Sequence, residues 1–484
     1  MGIVLRQSFK NTITIYIAFA IGGVNALFLY TSFLTDEYYG LVTYLLSTAN
    51  LLMPFTAFGV QYTILKFFSS YATKKEQDGF LSSIILWPLF VAIPIALVGN
   101  YFYTEISSYL SIKNPIIKNY TFVIYLVALA TAYFEIFYTW AKVQMQSVYG
   151  NILKELFSRV ASMILLFAVY LKLISAEEFI YYLTGAYFIR LFLMAIYALK
   201  LYRPEFTLRL PANSAEILKY SLYIILAGAA GTILLDIDKY MIPQKEVIAM
   251  TAYYAVGVYI GSVVETPGRA MAQIIQPMVS KALNENNLEV VKDLYHKSSI
   301  NLFLVSGLVF LLINVNIKQL YSLLPVEYSG GLWVVFFISL AKLYHMLLGA
   351  NGAIISNSKY YKILLPYGIG MAVAVYLLND ILIDQLSIDG AAISTFLVVI
   401  VFNSIKLFYV KNKFDMFPFH GKTGLLSILI VLFFSAFYFW DFSMHPIINI
   451  GLKSFLVSVL YIFIVFKLKI SNDINQQLLK LIKK

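Results

Sequence analysis

The chain has 484 residues, of which 60% are hydrophobic and 13% are charged, with a formal net charge of +11 and no cysteine. Soluble domains carry roughly twice this share of charged residues, so the composition excludes a single water-soluble core. The apolar runs are continuous and do not alternate with polar residues, which argues against a transmembrane β-barrel. Without cysteine, the chain forms neither disulfides nor thiolate metal sites.

About fourteen apolar runs, each near the length of about twenty residues that crosses a membrane as a helix, follow one another along the chain. The sequence therefore predicts an all-α polytopic membrane protein. The first run is long and lacks a small-residue cleavage site, so we interpret it as a span and not as a signal peptide. The predicted spans lie at residues 12–34, 41–65, 82–101, 117–138, 153–172, 177–201, 216–235, 247–266, 298–316, 330–350, 360–379, 389–410, 423–440 and 446–466.

Lysine and arginine are concentrated in alternate loops between these spans. Most of the 36 basic residues belong to one set of loops, which includes both chain ends and contains Lys10, Lys74 and Lys483. Because loops rich in lysine and arginine stay in the cytoplasm, we expect both termini to be cytoplasmic. The same sorting accounts for the positive net charge, so we predict no nucleic-acid partner.

The two halves of the chain share a faint pattern. Span one, the acidic turn at Asp36 and Glu37, and span two with Pro54 resemble span seven, the turn at 236–246, and span eight with Pro267. Two six-span halves in the same orientation are typical of transporters with parallel repeats. The predicted domains are an N-terminal lobe at 1–212, a C-terminal lobe at 213–412, and two further helices with a cytoplasmic tail at 413–484.

Two basic side chains lie near the middle of predicted spans. At a rise of about 1.5 Å per residue, Arg190 is about 20 Å and Lys342 about 18 Å from the outer end of its span. Facing lipid would cost each side chain at least about 2.5 kcal/mol, so each should face a partner or an aqueous cavity. Either the two cations attract an anion such as phosphate or pyrophosphate into a cavity, or each pairs with a buried carboxylate and only joins helices.

Three carboxylates are candidates for a gate or for coupling to a proton or sodium ion. Glu135 lies near the inner end of span four, and Asp236 lies at the outer end of span seven. Glu265 lies four residues before Arg269, a spacing that allows a pair along one helix. The candidate substrate-binding cations are Arg190, Lys342 and Arg269, and the candidate gating or coupling residues are Glu265, Glu135 and Asp236.

Motifs of enzymes and metal sites are missing from the sequence. We find no P-loop, no GxSxG motif and no histidine spacing typical of metal ligands. The sequence therefore predicts no catalytic residue, no bound metal and no cofactor.

Five short stretches, in their order and spacing, resemble the polysaccharide flippases of the multidrug/oligosaccharidyl-lipid/polysaccharide exporter superfamily, a family that includes O-antigen flippases. The resemblance extends from the first predicted span to the last. The stretches are Phe58–Tyr71, Leu234–Ile242, Glu265–Ala282, Leu323–Gly331 and Gly349–Lys362.

This resemblance implies two six-helix lobes around a cationic central cavity, two additional C-terminal helices, and transport by alternating access. It implies translocation of undecaprenyl-pyrophosphate-linked oligosaccharide from the inner to the outer leaflet of the bacterial plasma membrane, for surface polysaccharides such as the O-antigen of lipopolysaccharide. The expected partners are this substrate and membrane lipids, with polysaccharide polymerase or ligase machinery as further candidates. No enzymatic activity is implied.

Two other functions stay open for a polytopic chain of this kind. An ion-coupled drug exporter of the same superfamily would carry deep acidic residues that attract cationic drugs, whereas the deep charges here are basic. An integral-membrane polysaccharide polymerase or glycosyltransferase would carry a large, charged aqueous loop, and this sequence shows none.

Overall fold

The computed structural model describes residues 2–205, 211 and 213–482, and every regular element within those ranges is a helix. This confirms the predicted all-α fold. The chain divides into two units, Met1–Ala255 and Val256–Lys484, which we describe separately. The predicted lobe boundary adjoins residues 206–210 and 212, which lie outside the described residues, as do Lys483 and Lys484 of the predicted tail. The three domain ranges therefore stay a prediction.

The first unit contains twelve complete helices, and α13 (Ala249–Ser262) contains its last residues. Two π-helical segments, Asn25–Leu29 and Ile152–Phe157, follow α1 and α9. The helices are α1 (Gly2–Val24), α2 (Tyr30–Phe33), α3 (Asp36–Thr56), α4 (Val60–Phe67), α5 (Lys74–Ile84), α6 (Leu89–Tyr101), α7 (Tyr103–Leu110), α8 (Thr121–Val143), α9 (Val148–Asn151), α10 (Ser158–Tyr170), α11 (Ala176–Leu201) and α12 (Ser214–Lys245).

Local sequence signals explain several helix ends in this unit. Ser175 and Glu178 form a capping box before α11, in which the Glu178 N–H donates to Ser175 Oγ at 3.1 Å and the Ser175 N–H donates to Glu178 Oε2 at 2.8 Å. Such reciprocal bonds satisfy two backbone donors that a helix start leaves unpaired. Gly59 immediately precedes α4 and has a φ of 65°, a conformation that glycine adopts without steric cost.

Helix α8 is at the centre of the packing in the first unit. It contacts α3, α4 and α11, and α12 packs against α3. Ala128, Ala130 and Ala132 on α8 are fully buried. Small side chains let helix backbones approach closely, which favours association where lipid provides no hydrophobic driving force.

The second unit begins within α13 and continues through nine further helices. A 3₁₀ turn, Val263–Glu265, separates α13 from α14, and Ser387 interrupts α19 with a φ of 52°. The helices are α14 (Thr266–Asn284), α15 (Leu288–Asn314), α16 (Ile317–Tyr321), α17 (Leu332–Leu347), α18 (Asn351–Ser356), α19 (Leu364–Phe414), α20 (Gly421–Tyr438), α21 (Pro446–Lys467) and α22 (Asn472–Ile482).

Helix α15 organises the second unit. It contacts α14, α17, α20 and α21, and α17 also packs along α19. At Gly307 on α15, an added Cβ would lie 2.5 Å from Ile430 of α20, and the Tyr461 hydroxyl of α21 donates to the Leu304 carbonyl at 3.0 Å. The two C-terminal spans are therefore anchored on α15 by close packing and by one buried hydrogen bond.

Ten helical segments of the described chain are long and apolar enough to cross a membrane, or eleven if α3 and α4, bent by 48°, form one broken span. The protein is thus a multi-pass membrane protein, but the predicted count of fourteen is not confirmed. Predicted spans eleven and twelve together form α19, which is broken at Ser387. Predicted spans five and eight coincide with helices that are interrupted by the π-helical segment before α10 and by the 3₁₀ turn after α13.

Candidate functional site

Arg190 lies on α11 and is only 6% exposed. Its Nη1 donates to Ser158 Oγ at 3.0 Å and its Nη2 to Thr131 Oγ1 at 3.3 Å. The guanidinium carbon lies 4.4 Å from the ring centre of Phe134 and 4.6 Å from that of Tyr187. In the described parts of the chain it forms no ion pair, and its Nε has no hydrogen-bond partner. Hydroxyl groups and aromatic rings therefore hold a positive charge that no carboxylate neutralises.

Glu135 and its neighbours form two ion pairs in the first unit. Glu135 Oε1 lies 2.6 Å from Lys154 Nζ, and Glu155 Oε2 lies 3.0 Å from Arg159 Nη1. Lys154 and Glu155 belong to the π-helical segment 152–157, a wide turn that is frequent at functional sites. Since each carboxylate has its own cation, Arg190 adds a net positive charge to this unit.

Asp236 is buried within α12, which packs against α3. The predicted turn at 236–246 is wrong, because α12 continues as a helix to Lys245. The Asp236 Oδ1 atom lies 2.9 Å from Lys239 Nζ, three residues further along α12, and its Oδ2 accepts from Asn50 Nδ2 of α3 at 3.2 Å. The carboxylate thus joins two helices of the first unit through a lysine and an amide.

Glu265 occupies the 3₁₀ turn between α13 and α14 and pairs with Lys342 of α17. The Glu265 Oε2 and Lys342 Nζ atoms are 2.5 Å apart, and the two side chains are 22% and 24% exposed. Pro267 follows in the first turn of α14, where a backbone N–H would have no helical acceptor. The charge of Lys342 is therefore compensated by a carboxylate, unlike that of Arg190.

A second helix break faces this turn. Gly349, with a φ of 51°, separates α17 from α18, and an added Cβ would lie 2.5 Å from the Ser299 backbone nitrogen of α15. Ser298 Oγ accepts the Ala350 N–H at 2.9 Å, and Ser299 Oγ donates to the Leu347 carbonyl at 2.6 Å. The two serines of α15 thus satisfy backbone groups that the break exposes.

A cavity of about 330 Å³ lies between these two breaks. A second cavity of about 360 Å³ shares Ala272 and Gln276 with it and reaches Ser280 and Asn357. On α14 the lining residues 269, 272, 276 and 280 follow the spacing of one helix face, and residue 265 precedes them in the 3₁₀ turn. The polar residues that line the first cavity are Glu265, Arg269, Gln276, Ser298, His345 and Ser356.

The structure brings three of the six sequence-predicted site residues together. Glu265 and Arg269 line the cavity of about 330 Å³, and Lys342 forms an ion pair with Glu265. Arg190 and Glu135 belong to the first unit, and Asp236 lies elsewhere in that unit. Whether these residues bind a substrate or couple an ion stays a prediction.

Sequence reasoning missed the lysine partners of both glutamates and the polar face of α14. The partners were not foreseeable, because each comes from a different helix. The polar face had a signal: small and polar residues recur at intervals of three or four through Arg269, Ala272, Gln276 and Ser280.

Comparison with known protein families gives one match, to a family described as polysaccharide biosynthesis protein, over residues 4–283. A search of curated proteins finds no match.

Comparison with solved structures finds transporters and flippases. The lipid II flippase MurJ, in an inward closed conformation, is 14% identical with a TM-score of 0.72, covering 97% of this chain and 100% of that chain. An inward-facing multidrug resistance MATE transporter is 13% identical, with a TM-score of 0.57 and coverage of 86% and 95%. A transporter from Pyrococcus furiosus, described as having a binding pocket of reverse polarity, is 13% identical, with a TM-score of 0.57 and coverage of 85% and 95%. At these identities the similarity shows a shared fold and no more. The last two proteins are described as members of the MOP superfamily.

Proposed function

The chain belongs to the polysaccharide biosynthesis protein family, and from this premise we propose that it is a flippase for undecaprenyl-pyrophosphate-linked oligosaccharides. It would move repeat units from the cytoplasmic to the periplasmic leaflet of the bacterial plasma membrane by alternating access. The products would serve surface polysaccharides such as the O-antigen of lipopolysaccharide. The fold shared with a lipid II flippase supports this proposal.

The observation that carries the proposal is the placement of basic side chains in both units, where the nearby carboxylates are paired with lysine or arginine. In the first unit, both carboxylates near Arg190 are paired with other cations. In the second unit, the only carboxylate that lines the described cavity, Glu265, is paired with Lys342, and Arg269 lines the same cavity. Guanidinium groups match the oxygen atoms of a pyrophosphate in bidentate geometry. We therefore keep Arg190, Lys342 and Arg269 as the proposed substrate-binding residues.

The polar cavities would receive the head group and glycan while the lipid tail stays in the bilayer. The amide and hydroxyl groups of Gln276, Ser280 and Asn357 suit hydrogen bonding to sugar hydroxyls. Flipping breaks no covalent bond, so no catalytic residue is required. Both termini would be cytoplasmic, a proton or a sodium ion is the candidate coupling ion, and polymerase or ligase machinery would receive the product.

An ion-coupled drug exporter is less well supported. A cavity for cationic drugs needs an available acidic group, and Glu135 and Glu265 are each paired with a lysine. A polymerase or glycosyltransferase is also disfavoured, since the chain's structural relatives are transporters and flippases.

Reconstitution of the purified chain into liposomes tests the proposed function. A fluorescent undecaprenyl-pyrophosphate-linked oligosaccharide is placed in both leaflets, and a membrane-impermeant quencher reports the outward-facing fraction over time. We expect exchange of the protected fraction that protein-free liposomes do not show. Exchange no faster than in protein-free liposomes would contradict the proposal, and ion-driven efflux of a cationic dye would favour the drug exporter.

A further inference from the structure

We infer that Glu265 acts as an internal substitute for the substrate's pyrophosphate and takes up a proton when the pyrophosphate displaces it from Lys342. This inference rests on the proposed function and adds to it a linked proton, with a named acceptor.

The first evidence is the order of the groups at the cavity wall. Glu265 lines the cavity of about 330 Å³, whereas Lys342 is not among its lining residues. The carboxylate, 2.5 Å from the Lys342 ammonium, therefore borders the space that an anion would enter, whereas the ammonium does not line it. Arg269, one turn further along α14, lines the same space.

The second evidence is the set of charged groups around Glu265. Helix α14, which follows its turn directly, contributes Arg269. Helix α17 contributes Lys342 and His345, and Lys406 of α19 acts electrostatically on His345. Among the described residues that line the cavity, Glu265 is the only carboxylate. One negative group is thus surrounded by basic ones, an arrangement that a pyrophosphate would also satisfy.

Displacement of the carboxylate has a predictable chemical consequence. A pyrophosphate carries more negative charge than a carboxylate, so it would compete for Lys342 while also attracting Arg269. The released carboxylate would then lie beside phosphate oxygens, and like charges at this distance disfavour its ionised form. A proton from water in the cavity would bind to a Glu265 carboxyl oxygen, and no bond of the substrate would form or break.

A proton suits this site better than a metal ion. Within residues 2–205, 211 and 213–482, no group of three or more histidine, aspartate or glutamate side chains could hold a metal. The nearest neighbour of the Glu265 carboxylate is an ammonium group, which repels cations. When the substrate leaves, Glu265 would lose its proton and pair with Lys342 again, so substrate binding and proton binding would favour each other by the same factor.

Calorimetry on the full chain in detergent tests the inference, with farnesyl pyrophosphate as the probe and farnesol as the uncharged control. Titrations in buffers of different ionisation enthalpy give the number of protons taken up per ligand. We expect wild type to take up about one proton, and its Kd to rise by up to about tenfold per unit of increasing pH.

The Glu265→Gln variant removes the proton acceptor and the internal competitor together. We expect no proton uptake, a Kd that depends less on pH than that of wild type because only the terminal phosphate of the probe still titrates, and binding at least about fivefold tighter than wild type at neutral pH. The matched control is Glu285→Gln, which removes a surface carboxylate that is 3.8 Å from Lys281 and 58% exposed. This control should keep the proton uptake and the affinity of wild type.

The double variant Glu265→Gln, Lys342→Gln removes both charges of the pair, so no unpaired charge is left behind. It therefore keeps the test valid if the single variant does not fold. It should bind the probe more weakly than wild type and without proton uptake. Binding without proton uptake by wild type, or persistent uptake by either Glu265 variant, would overturn the inference and leave the flippase proposal standing. No binding of farnesyl pyrophosphate by wild type would count against both.

Discussion

At the scale of single residues, the sequence predicts where a charge lies along its helix but not which group it pairs with. A helix rises by a fixed amount per residue, so counting predicts a central position for both Arg190 and Lys342. Arg190 lies near the middle of α11, whereas Lys342 lies in the C-terminal part of α17. Their surroundings differ because of tertiary packing. Lys342 meets Glu265 from another helix, and Arg190 meets two hydroxyls and two aromatic rings.

Because of this difference, a substitution of Arg190 can separate an effect on transport from an effect on stability. Replacing Arg190 by methionine removes a buried charge that has no carboxylate partner, so the variant should be as stable as wild type or more stable by about 1–3 kcal/mol. Flipping should fall by at least about tenfold if the guanidinium binds the head group. Thermal unfolding in detergent and the liposome assay measure the two effects, and Arg190→Lys is the control that keeps the charge.

Flipping by Arg190→Met at the wild-type rate would show that this residue takes no part in transport. A slow and unstable variant would indicate a structural role for the guanidinium. Only a stable variant that transports slowly agrees with substrate binding.

Lys453 and Asp441 form a pair with a structural role. Lys453 of α21 is fully buried, and its Nζ donates to Asp441 Oδ1 at 2.8 Å in the segment between α20 and α21. Partial burial favours the protonated form of Asp441, but hydrogen bonds from Lys453 and Gln319 hold its pKa below the ordinary value of 3.8. A carboxyl whose pKa is lowered by folding adds stability above its unfolded pKa, and this stability is lost as the pH falls through the folded pKa.

We therefore expect Asp441→Asn to destabilise the protein by about 1–3 kcal/mol at neutral pH, because it leaves the buried ammonium without a counter-ion. As the pH falls below 3.8, the difference between variant and wild type should shrink. Thermal unfolding as a function of pH measures both effects. A difference that stays constant with pH would show that the carboxylate charge is not what stabilises the segment.

At the scale of elements, helix starts were more predictable than helix breaks. The capping box before α11 and the position of Pro267 are local signals that can be read along the chain. The break in α19 falls in the interval between predicted spans eleven and twelve, but its exact position has no local signal, because the residue with positive φ is Ser387 and not a glycine.

Gly390 shows how tightly the α19 break is packed. An added Cβ at this position would lie 2.0 Å from the Leu382 carbonyl oxygen, and backbone atoms cannot move aside as a flexible side chain can. We expect Gly390→Ala to destabilise the protein by about 1–3 kcal/mol. Gly451→Ala on α21 is the matched control, since nothing lies within 4 Å of its added Cβ, and it should be neutral or stabilise by up to about 1 kcal/mol.

Thermal unfolding of the two glycine variants in one detergent provides the comparison. Equal stability of both variants would mean that the two arms of α19 separate easily and that the close approach at Leu382 contributes little.

The contact between His296 of α15 and His420, which precedes α20, should depend on pH. Their ring centres are 4.6 Å apart. Partial burial lowers the pKa of His420 below its ordinary value of 6.5, and the nearby His296 and Lys422 lower it further. A base whose pKa is lowered by folding binds protons more readily in the unfolded state, so stability is complete above pH 6.5 and falls as the pH drops through that value.

His420→Gln should remove the contribution of this histidine to the pH dependence of stability. We expect its thermal unfolding temperature to change less than that of wild type when the pH is lowered from above to below 6.5. His445→Gln is the control, because His445 lies in another segment, at the start of α21. An equal response of wild type and His420→Gln to pH would refute the role assigned to the histidine contact.

At the scale of the whole molecule, composition and the length of the apolar runs were sufficient to predict an all-α, multi-pass protein. The predicted count of fourteen spans is not confirmed. The described chain contains ten candidate spans, or eleven if α3 and α4, bent by 48°, form one, and α19 combines predicted spans eleven and twelve across the break at Ser387. The family resemblance depended on the order of several short stretches, and the family match over residues 4–283 agrees with it.

The predicted topology can be tested on a chain that lacks cysteine. Single cysteines at Lys113 and Asn286, both exposed in loops, should react with a membrane-impermeant maleimide from opposite sides of the membrane. If the positive-inside rule holds, we expect the reagent to label Lys113→Cys in intact cells and Asn286→Cys only after permeabilisation. Labelling of both from the same side would contradict the alternation of loops.

The pair of Glu265 and Lys342 also has a consequence for biosynthesis. Chains emerge from the ribosome N-terminal end first, so Glu265 is made and inserted before Lys342. Glu135 likewise precedes Lys154. Each lysine therefore enters the membrane when its carboxylate is already there, which lowers the cost of inserting a charged helix. By this reasoning α17 should insert poorly when it is translated without α13 and α14, and normally when they precede it.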